Sequence, residues 1–221
     1  MSVLLDGDPT MRKEVSSCIC IRKAYVRLLS AAMAAFIFSC LPLSAQFMSK
    51  QVNLTYMARR ADIIVQGTVK EVKQESLPGY PNVATTRVTL DISNMMRGPE
   101  GKTYTFREIK LGFIPKERKS RYAVGQQLLL FLPSPSQYGL SSPIGQEQGR
   151  FHIARNATGK WMVANEYNNA GLFLNVLQDI RNEGERLTAS QMRVASSREG
   201  PVQLDDFVSL VKKLTSLSRI Q

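Results

Sequence analysis

Two alternating apolar runs meet in the stretch NMMRGPEGKTYTF, residues 94–106, and this makes it the most informative part of the sequence for the fold. Every second residue is apolar before it, and the same alternation starts again near its end. Such alternation is typical of a β-strand with one buried face. The six residues between the two runs include two glycines and a proline. The stretch therefore predicts an antiparallel hairpin with these side chains facing inward: Val88, Leu90, Ile92, Tyr104 and Phe106.

The same turn contains Gly101-Lys102-Thr103, which resembles the end of a phosphate-binding loop. A phosphate loop needs a helix directly after the lysine, because the helix N-terminus helps to hold the anion. Strand alternation follows here instead, and Gly98 and Gly101 are the only glycines of the turn. We therefore interpret the turn as a corner between two strands.

The residues upstream of this hairpin predict a short helix and a first strand. Asn53 is placed to cap a helix that begins at Leu54. The strand that follows is interrupted by Gly67, and a glycine inside a strand usually marks a bulge or a close approach of backbone. The predicted inward residues of this strand are Ile63, Val65 and Val69.

Four further segments have readable patterns. Residues 77–82 contain two prolines and a glycine and predict a loop. Residues 125–133 are apolar on both faces, which predicts a central strand, and residues 148–165 predict a second hairpin. Residues 204–218 predict an amphipathic helix with this apolar stripe: Phe207, Leu210, Val211, Leu214 and Leu217.

The N-terminal part of the chain has the order of a secretory signal. Basic residues precede a nearly unbroken apolar run at residues 28–43, and small residues follow it. We expect cleavage after Ala45, which leaves Gln46 as the first residue of the mature chain. Two alternatives stay open, namely lipid attachment at Cys40 and retention of residues 28–43 as a membrane anchor. Residues before Met11 carry no export signal, so translation could also start there.

Cleavage would remove every thiol, since the three cysteines of the chain are Cys18, Cys20 and Cys40. The mature chain would then depend on a packed core for its stability. It would also have a single histidine, His152. Zinc sites made of Cys and His, and Cys–His catalysis, are excluded for such a chain. We predict no metal and no cofactor.

The order of motifs in residues 52–155 resembles the netrin-module superfamily, which includes the tissue inhibitors of metalloproteinases. It is most similar to the cysteine-free bacterial exported type. The matching residues are Ala61-Asp62, Gly67, Arg97-Gly98-Pro99 and Val124-Gly125. The resemblance implies a mainly β fold, a five-stranded antiparallel barrel of the OB type, with a short N-terminal helix and a C-terminal amphipathic helix.

The resemblance also implies domain limits but not a mechanism. Residues 1–45 are the predicted signal, residues 46–165 the barrel, and residues 166–221 an extension whose helix 204–218 packs on the barrel. Metalloproteinase inhibitors of this family chelate the protease zinc through an N-terminal cysteine. The predicted mature chain begins with Gln46 instead, so that mechanism does not transfer.

The formal net charge of +11 favours anionic partners. The densest basic segment lies between two predicted strands, where OB-type barrels often bind. The predicted binding residues are Phe113, Lys116, Arg118, Lys119, Arg121 and Tyr122.

The sequence thus predicts a secreted or periplasmic binding or inhibitor-like module that is not an enzyme. Its partner would be an unknown protein or an anionic surface, either polysaccharide or phospholipid head groups, with nucleic acid less suited to an exported protein. The alternative is a hydrolase that uses His152 or a carboxylate pair formed by Asp91 and Glu71.

Overall fold

Seven β-strands form one antiparallel sheet in the part of the chain that the computed structural model describes, residues 51–110 and 121–217. The strands are β1 (Ile63–Leu77), β2 (Tyr80–Arg97), β3 (Thr103–Ile109), β4 (Gln127–Leu132), β5 (Arg150–Arg155), β6 (Trp161–Asn165) and β7 (Val202–Gln203). Their order across the sheet is β3-β2-β1-β4-β5-β6-β7. The helices are α1 (Leu54–Arg60), α2 (Val176–Asn182), α3 (Ala189–Ala195) and α4 (Leu204–Leu217), with a 3-10 helix at Gln146–Gly149.

The hairpin predicted from residues 94–106 is confirmed. Strands β2 and β3 pair antiparallel, with Val88 opposite Phe106 and Leu90 opposite Tyr104. The predicted second hairpin is also present as β5 and β6. No phosphate-type helix follows Lys102, because β3 begins at the next residue.

The two faces of the sheet bury two separate apolar clusters. Strand β4 contributes to both, which confirms the predicted central strand. The inner cluster lies on the face without helices and contains Ile63, Val65, Val69, Val88, Leu90, Phe106, Tyr122, Leu128, Leu130 and Leu132. The helix-side cluster joins Leu129, Phe131 and Phe151 to the apolar stripe of α4. The predicted stripe is fully buried, which confirms the C-terminal helix.

The first helix and the strand after it agree with the sequence. The Asn53 side chain accepts a hydrogen bond from the Tyr56 backbone N–H at 2.8 Å and so caps α1. At Gly67 the pairing of β1 with β2 shifts its register. A Cβ at this position would lie 2.5 Å from the Asp91 carbonyl oxygen, so the backbones approach more closely than any side chain allows.

The predicted loop at residues 77–82 is wrong. Strand β1 continues to Leu77 and β2 begins at Tyr80, so only two residues turn the chain. Gly79 permits this tight reversal with a φ of +80°. Pro81 is tolerated inside β2 because β3 pairs only with Thr85 and the residues after it, so β2 has an unpaired side at Pro81.

The mainly β fold is confirmed, but the five-stranded closed barrel is not. Among the described residues, β3 and β7 are the edges of the sheet, and no strand pairing closes it. The chain after Asn165 adds β7 to the same sheet and packs α4 on its helix side. Residues 166–217, predicted as an extension, therefore contribute to the sheet and to the helix-side cluster.

Several predictions concern residues outside the described ranges. These are the signal at residues 1–45, its cleavage between Ala45 and Gln46, lipid attachment at Cys40 and the apolar run at residues 28–43. Within residues 51–110 and 121–217, no helix combines the length and the hydrophobicity that a membrane span requires.

Candidate functional site

A cluster of buried and half-buried polar side chains connects β3 to β5, two strands that do not pair with each other. We call it the seam cluster, and it consists of Glu108, Arg121, Tyr122, Glu147 and Arg150. Glu108 is on β3, Arg150 is on β5, and Glu147 is in the 3-10 helix just before β5. Arg121 is the last residue of the basic segment, and Tyr122 follows it.

The Glu108 carboxylate occupies one end of the seam cluster. The Tyr122 hydroxyl donates a hydrogen bond to it at 2.8 Å, and an Arg121 guanidinium nitrogen lies 3.8 Å from its other oxygen. Arg121 also forms an ion pair with Glu147. Glu108 is 4% exposed and Tyr122 is 2% exposed, so both groups are shielded from water.

Arg150 occupies the other end and touches three of the four remaining members. Its Nε donates to a Glu147 carboxylate oxygen at 2.8 Å, and one of its Nη atoms donates to the Arg121 carbonyl. The centre of its guanidinium lies 5.4 Å from the centre of the Tyr122 ring, a cation–π contact. Two arginines thus face two glutamates, which balances the charges inside the seam cluster.

Burial raises the pKa of two side chains in the seam cluster. It raises the pKa of the Glu108 carboxyl above the ordinary value of 4.5, although the Tyr122 hydrogen bond and the Arg121 charge oppose this shift. The pKa of the Tyr122 hydroxyl is raised well above 10.0, first by burial and then by the neighbouring Glu108 carboxylate. Tyr122 therefore acts as a hydrogen-bond donor at neutral pH.

The predicted binding residues fall into two groups. Phe113, Lys116, Arg118 and Lys119 lie outside the described residues. Arg121 and Tyr122 are described, and they belong to the seam cluster. Tyr122 is part of the inner core, so its ring is not a surface contact for a ligand as the sequence suggested. A role for the basic segment in binding stays a prediction.

The two predicted catalytic carboxylates lie in separate ion pairs. Asp91 Oδ1 is 3.1 Å from Lys70 Nζ, and Glu71 Oε1 is 2.7 Å from Lys73 Nζ. Both are on the polar face of neighbouring strands. Lys73 lowers the pKa of Glu71, mainly through its hydrogen bond.

His152 is on β5, separated from the Asp91 strand by β4 and β1. Its Nδ1 lies 2.7 Å from Gln126 Nε2, and its Nε2 lies 3.5 Å from a Glu166 carboxylate oxygen. Partial burial, followed by the charge of Arg150, lowers the pKa of the imidazole. The side chain of His152 is half-buried between these partners.

Surface clefts apart from the seam cluster are also present in the described part of the chain. One, of about 390 Å³, has Tyr56 and Leu174 in its lining, another, of about 610 Å³, includes Ser209 and Lys212, and a smaller one, of about 220 Å³, includes Met192. Residues 51–110 and 121–217 contain no group of three His, Cys, Asp or Glu side chains that could hold a metal ion.

Sequence reasoning missed Glu108, Glu147 and Arg150, although two of them left a signal. Glu108 shares its strand parity with Tyr104 and Phe106, so it occupies an inward position of β3. Arg150 pairs with Leu130 of the inner cluster, which places it on the same face of the sheet. A charged residue at an inward position of a strand is costly unless it is paired, so each one predicted a partner.

We expect Glu108→Gln to change how stability depends on pH. A raised pKa in the folded state stabilises the fold below the unfolded pKa, and this contribution disappears as pH rises through the folded pKa. Glutamine cannot ionise but still accepts the Tyr122 hydrogen bond. The variant should therefore gain stability relative to the wild type as pH rises above the ordinary carboxyl pKa of 4.5, as urea unfolding would measure.

Glu75→Gln is the matched control with the opposite sign. The hydrogen bond from Arg107 lowers the pKa of Glu75, so its contribution is present above the unfolded pKa and is lost as pH falls. This variant should lose stability relative to the wild type as pH rises. Parallel pH profiles for the two variants would contradict the assignment of Glu108 as the buried carboxylate.

No protein-family model matches the chain, and no curated protein matches it. The resemblance to the netrin-module superfamily therefore stays a prediction.

Proposed function

We propose that the first five strands form a partly open barrel of the OB type. Strands β3-β2-β1-β4-β5 are consecutive in the sheet, and closing them into a barrel would place β3 beside β5. The seam cluster supports this proposal, because its side chains join β3 to β5 where no strand pairing is present. The backbone N–H of Ser141 also donates to the Arg107 carbonyl at 2.8 Å and covers the free edge of β3.

On this fold we propose an exported binding module that recognises an anionic partner through residues 116–121. The observation that carries the proposal is the attachment of Arg121 and Tyr122 to the seam cluster. The last residue of the basic segment is thereby fixed to β3 and β5. A segment with one end attached to the fold loses less conformational freedom on binding than one on a free tail.

The charge of the segment indicates the partner. Lys116, Arg118 and Lys119 follow one another within four positions, and the whole chain has a formal charge of +11. Such a concentration attracts phosphate, sulfate or carboxylate groups and speeds their encounter with the protein. Polysaccharide and phospholipid head groups both present these anions outside the cytoplasm.

The hydrolase alternative receives no support from the described residues. Asp91 and Glu71 each form an ion pair with a lysine, and two strands separate His152 from β2. A carboxylate that remains paired with an ammonium group is a poor general base. We therefore propose binding without catalysis.

The triple variant Lys116→Ser, Arg118→Ser and Lys119→Ser tests the binding proposal. We expect a several-fold loss of affinity for a sulfated polysaccharide and for phosphatidylglycerol vesicles, with a weaker salt dependence, because surface charges are screened within about 10 Å at 0.1 M salt. Arg121 is left unchanged, since it pairs with the buried Glu108 and its loss would disturb the fold. Titrations at several salt concentrations measure both quantities.

The matched control replaces three exposed cations elsewhere, namely Lys102→Ser, Arg186→Ser and Arg198→Ser. It removes the same formal charge and should reduce affinity much less than the triple variant. Equal losses in the two variants would show that net charge acts without a defined site. Unchanged affinity and salt dependence in the triple variant would contradict the proposal outright.

A further inference from the structure

The tip of the β5–β6 hairpin combines the single tryptophan of the chain with two cations. Arg155 and Trp161 are directly opposite each other, as the last pair of the hairpin. The guanidinium carbon of Arg155 lies 4.6 Å from the centre of the Trp161 ring. Lys160 is exposed beside them, and residues 155–161 contain no acidic side chain.

Trp161 lies on the same face of the hairpin as two buried apolar residues, but its own side chain is partly exposed. Ile153 and Val163 precede this pair on the same face of the hairpin and are buried in the helix-side cluster. The next pair, Arg155 and Trp161, extends past that cluster, and the Trp161 side chain stays 37% exposed. A large aromatic residue with an apolar body and a polar N–H is the side chain that most favours a membrane–water interface.

Hydrogen bonds within the turn order the backbone of the hairpin tip. The Asn156 side-chain oxygen accepts hydrogen bonds from the backbone N–H groups of Thr158 and Lys160, at 3.0 and 2.9 Å. The Thr158 hydroxyl donates to the same oxygen at 2.8 Å. A surface that is already ordered loses little entropy when it binds.

We propose that this hairpin tip is a contact site for the surface of an anionic phospholipid bilayer. Trp161 would enter the head-group region, while Arg155 and Lys160 would pair with lipid phosphates on either side of it. A lipid surface fits better than a compact anion, because the site offers an exposed apolar ring as well as charge. The inference goes beyond the proposed function, since it does not use residues 116–121.

The experiment uses the emission of Trp161 as its reporter, because no other tryptophan contributes. A chain that starts at Gln46 contains the whole compact unit Met48–Gln221 and lacks the apolar run at residues 28–43. On titration with vesicles that contain phosphatidylglycerol, we expect a blue shift of the emission and quenching by brominated acyl chains. Vesicles of phosphatidylcholine alone should give neither effect, and high salt should reverse both.

Variants of the two cations test their part in binding while Trp161 is retained. We expect Lys160→Ser and Arg155→Ser each to weaken partitioning onto anionic vesicles about fivefold. Lys102→Ser, at the tip of the β2–β3 hairpin, removes the same charge and should change partitioning little. Circular dichroism checks that each variant is folded, as expected for substitutions at exposed positions.

Four results would overturn the proposal. The first is vesicle binding in a sedimentation assay with unchanged Trp161 emission, which would place the contact on another surface. The second is an equal emission shift with neutral and anionic vesicles. The third is a shift with a sulfated polysaccharide or an oligonucleotide but not with vesicles, and the fourth is no vesicle binding even at low salt.

Discussion

Replacing Arg97 with alanine is expected to lower the free energy of unfolding by about 3–4 kcal/mol, as a urea titration would measure. One guanidinium nitrogen of Arg97 donates to the carbonyls of Ala58 and Ala61, both at 2.7 Å. Another donates to the Thr215 carbonyl at 3.1 Å. Alanine would leave these acceptors at the C-terminal ends of α1 and α4 without the charged donor, and they lie where water enters poorly.

Two further variants separate the shape of the guanidinium from its charge. Arg97→Lys keeps the charge but cannot hold three carbonyls with one planar group, so we expect an intermediate loss. Lys102→Ala removes an exposed cation five residues away and should have almost no effect on stability. A loss below about 1 kcal/mol for Arg97→Ala would contradict the role of this residue as a clamp.

These contacts give a structural role to the arginine of the Arg-Gly-Pro motif in residues 94–106. Sequence analysis correctly predicted a corner at this point, because glycine and proline interrupt strand alternation. Gly98 adopts a φ of +131°, and a Cβ there would lie 3.2 Å from an Ile63 methyl group. Arg97 and Thr215 are 118 positions apart in the chain. No local sequence pattern predicts a contact at that sequence separation.

The elements that sequence predicted well are those governed by a short period. Alternation in β2 and β3 identified the inward residues, and the helical stripe of α4 is buried as expected. Both patterns arise because side chains leave a strand or a helix in fixed directions. The order of the strands does not follow from this local rule. Only the structure shows that β3 and β7 are the two edge strands.

The region between β6 and β7 has a weak sequence pattern, and specific polar contacts fix part of its backbone. The Asn169 side chain donates to the carbonyls of Val163 and Gly200, at 3.1 and 2.9 Å, and its oxygen accepts from the Asn165 N–H. Asn169 is completely buried and has a φ of +58°. An asparagine in a weakly patterned segment predicts a turn but does not say which backbone groups it satisfies.

The candidate site was only partly predictable for a similar reason. The density of positive charge in residues 116–121 is visible in the sequence, whereas the ion-pair partner of each cation is not. Sequence analysis predicted Arg121 as one of the binding cations of that segment. It pairs instead with Glu108 and Glu147, residues 13 and 26 positions away that carry no motif.

Arg150→Met is expected to cost about 3–5 kcal/mol, the usual penalty for removing one partner of a buried ion pair. Arg150 is 5% exposed, and methionine fills much of its volume without replacing its charge. The Arg121 carbonyl would lose its donor, Glu147 would lose one of its two arginines, and the Tyr122 ring would lose its cation. The loss would be measured as a lower free energy of unfolding in urea.

Arg155→Met is the matched control, because it makes the same exchange on the same strand at an exposed position. Its cation–π contact with Trp161 should account for only about 0.5–1 kcal/mol. A second readout follows from Glu108, whose raised pKa is held down in part by the charge of Arg150. Without that charge the pKa should rise further, so Arg150→Met should destabilise the fold more above the pKa of Glu108 than below it. Equal losses for the two methionine variants, with no dependence on pH, would mean that the seam cluster does not hold β3 to β5.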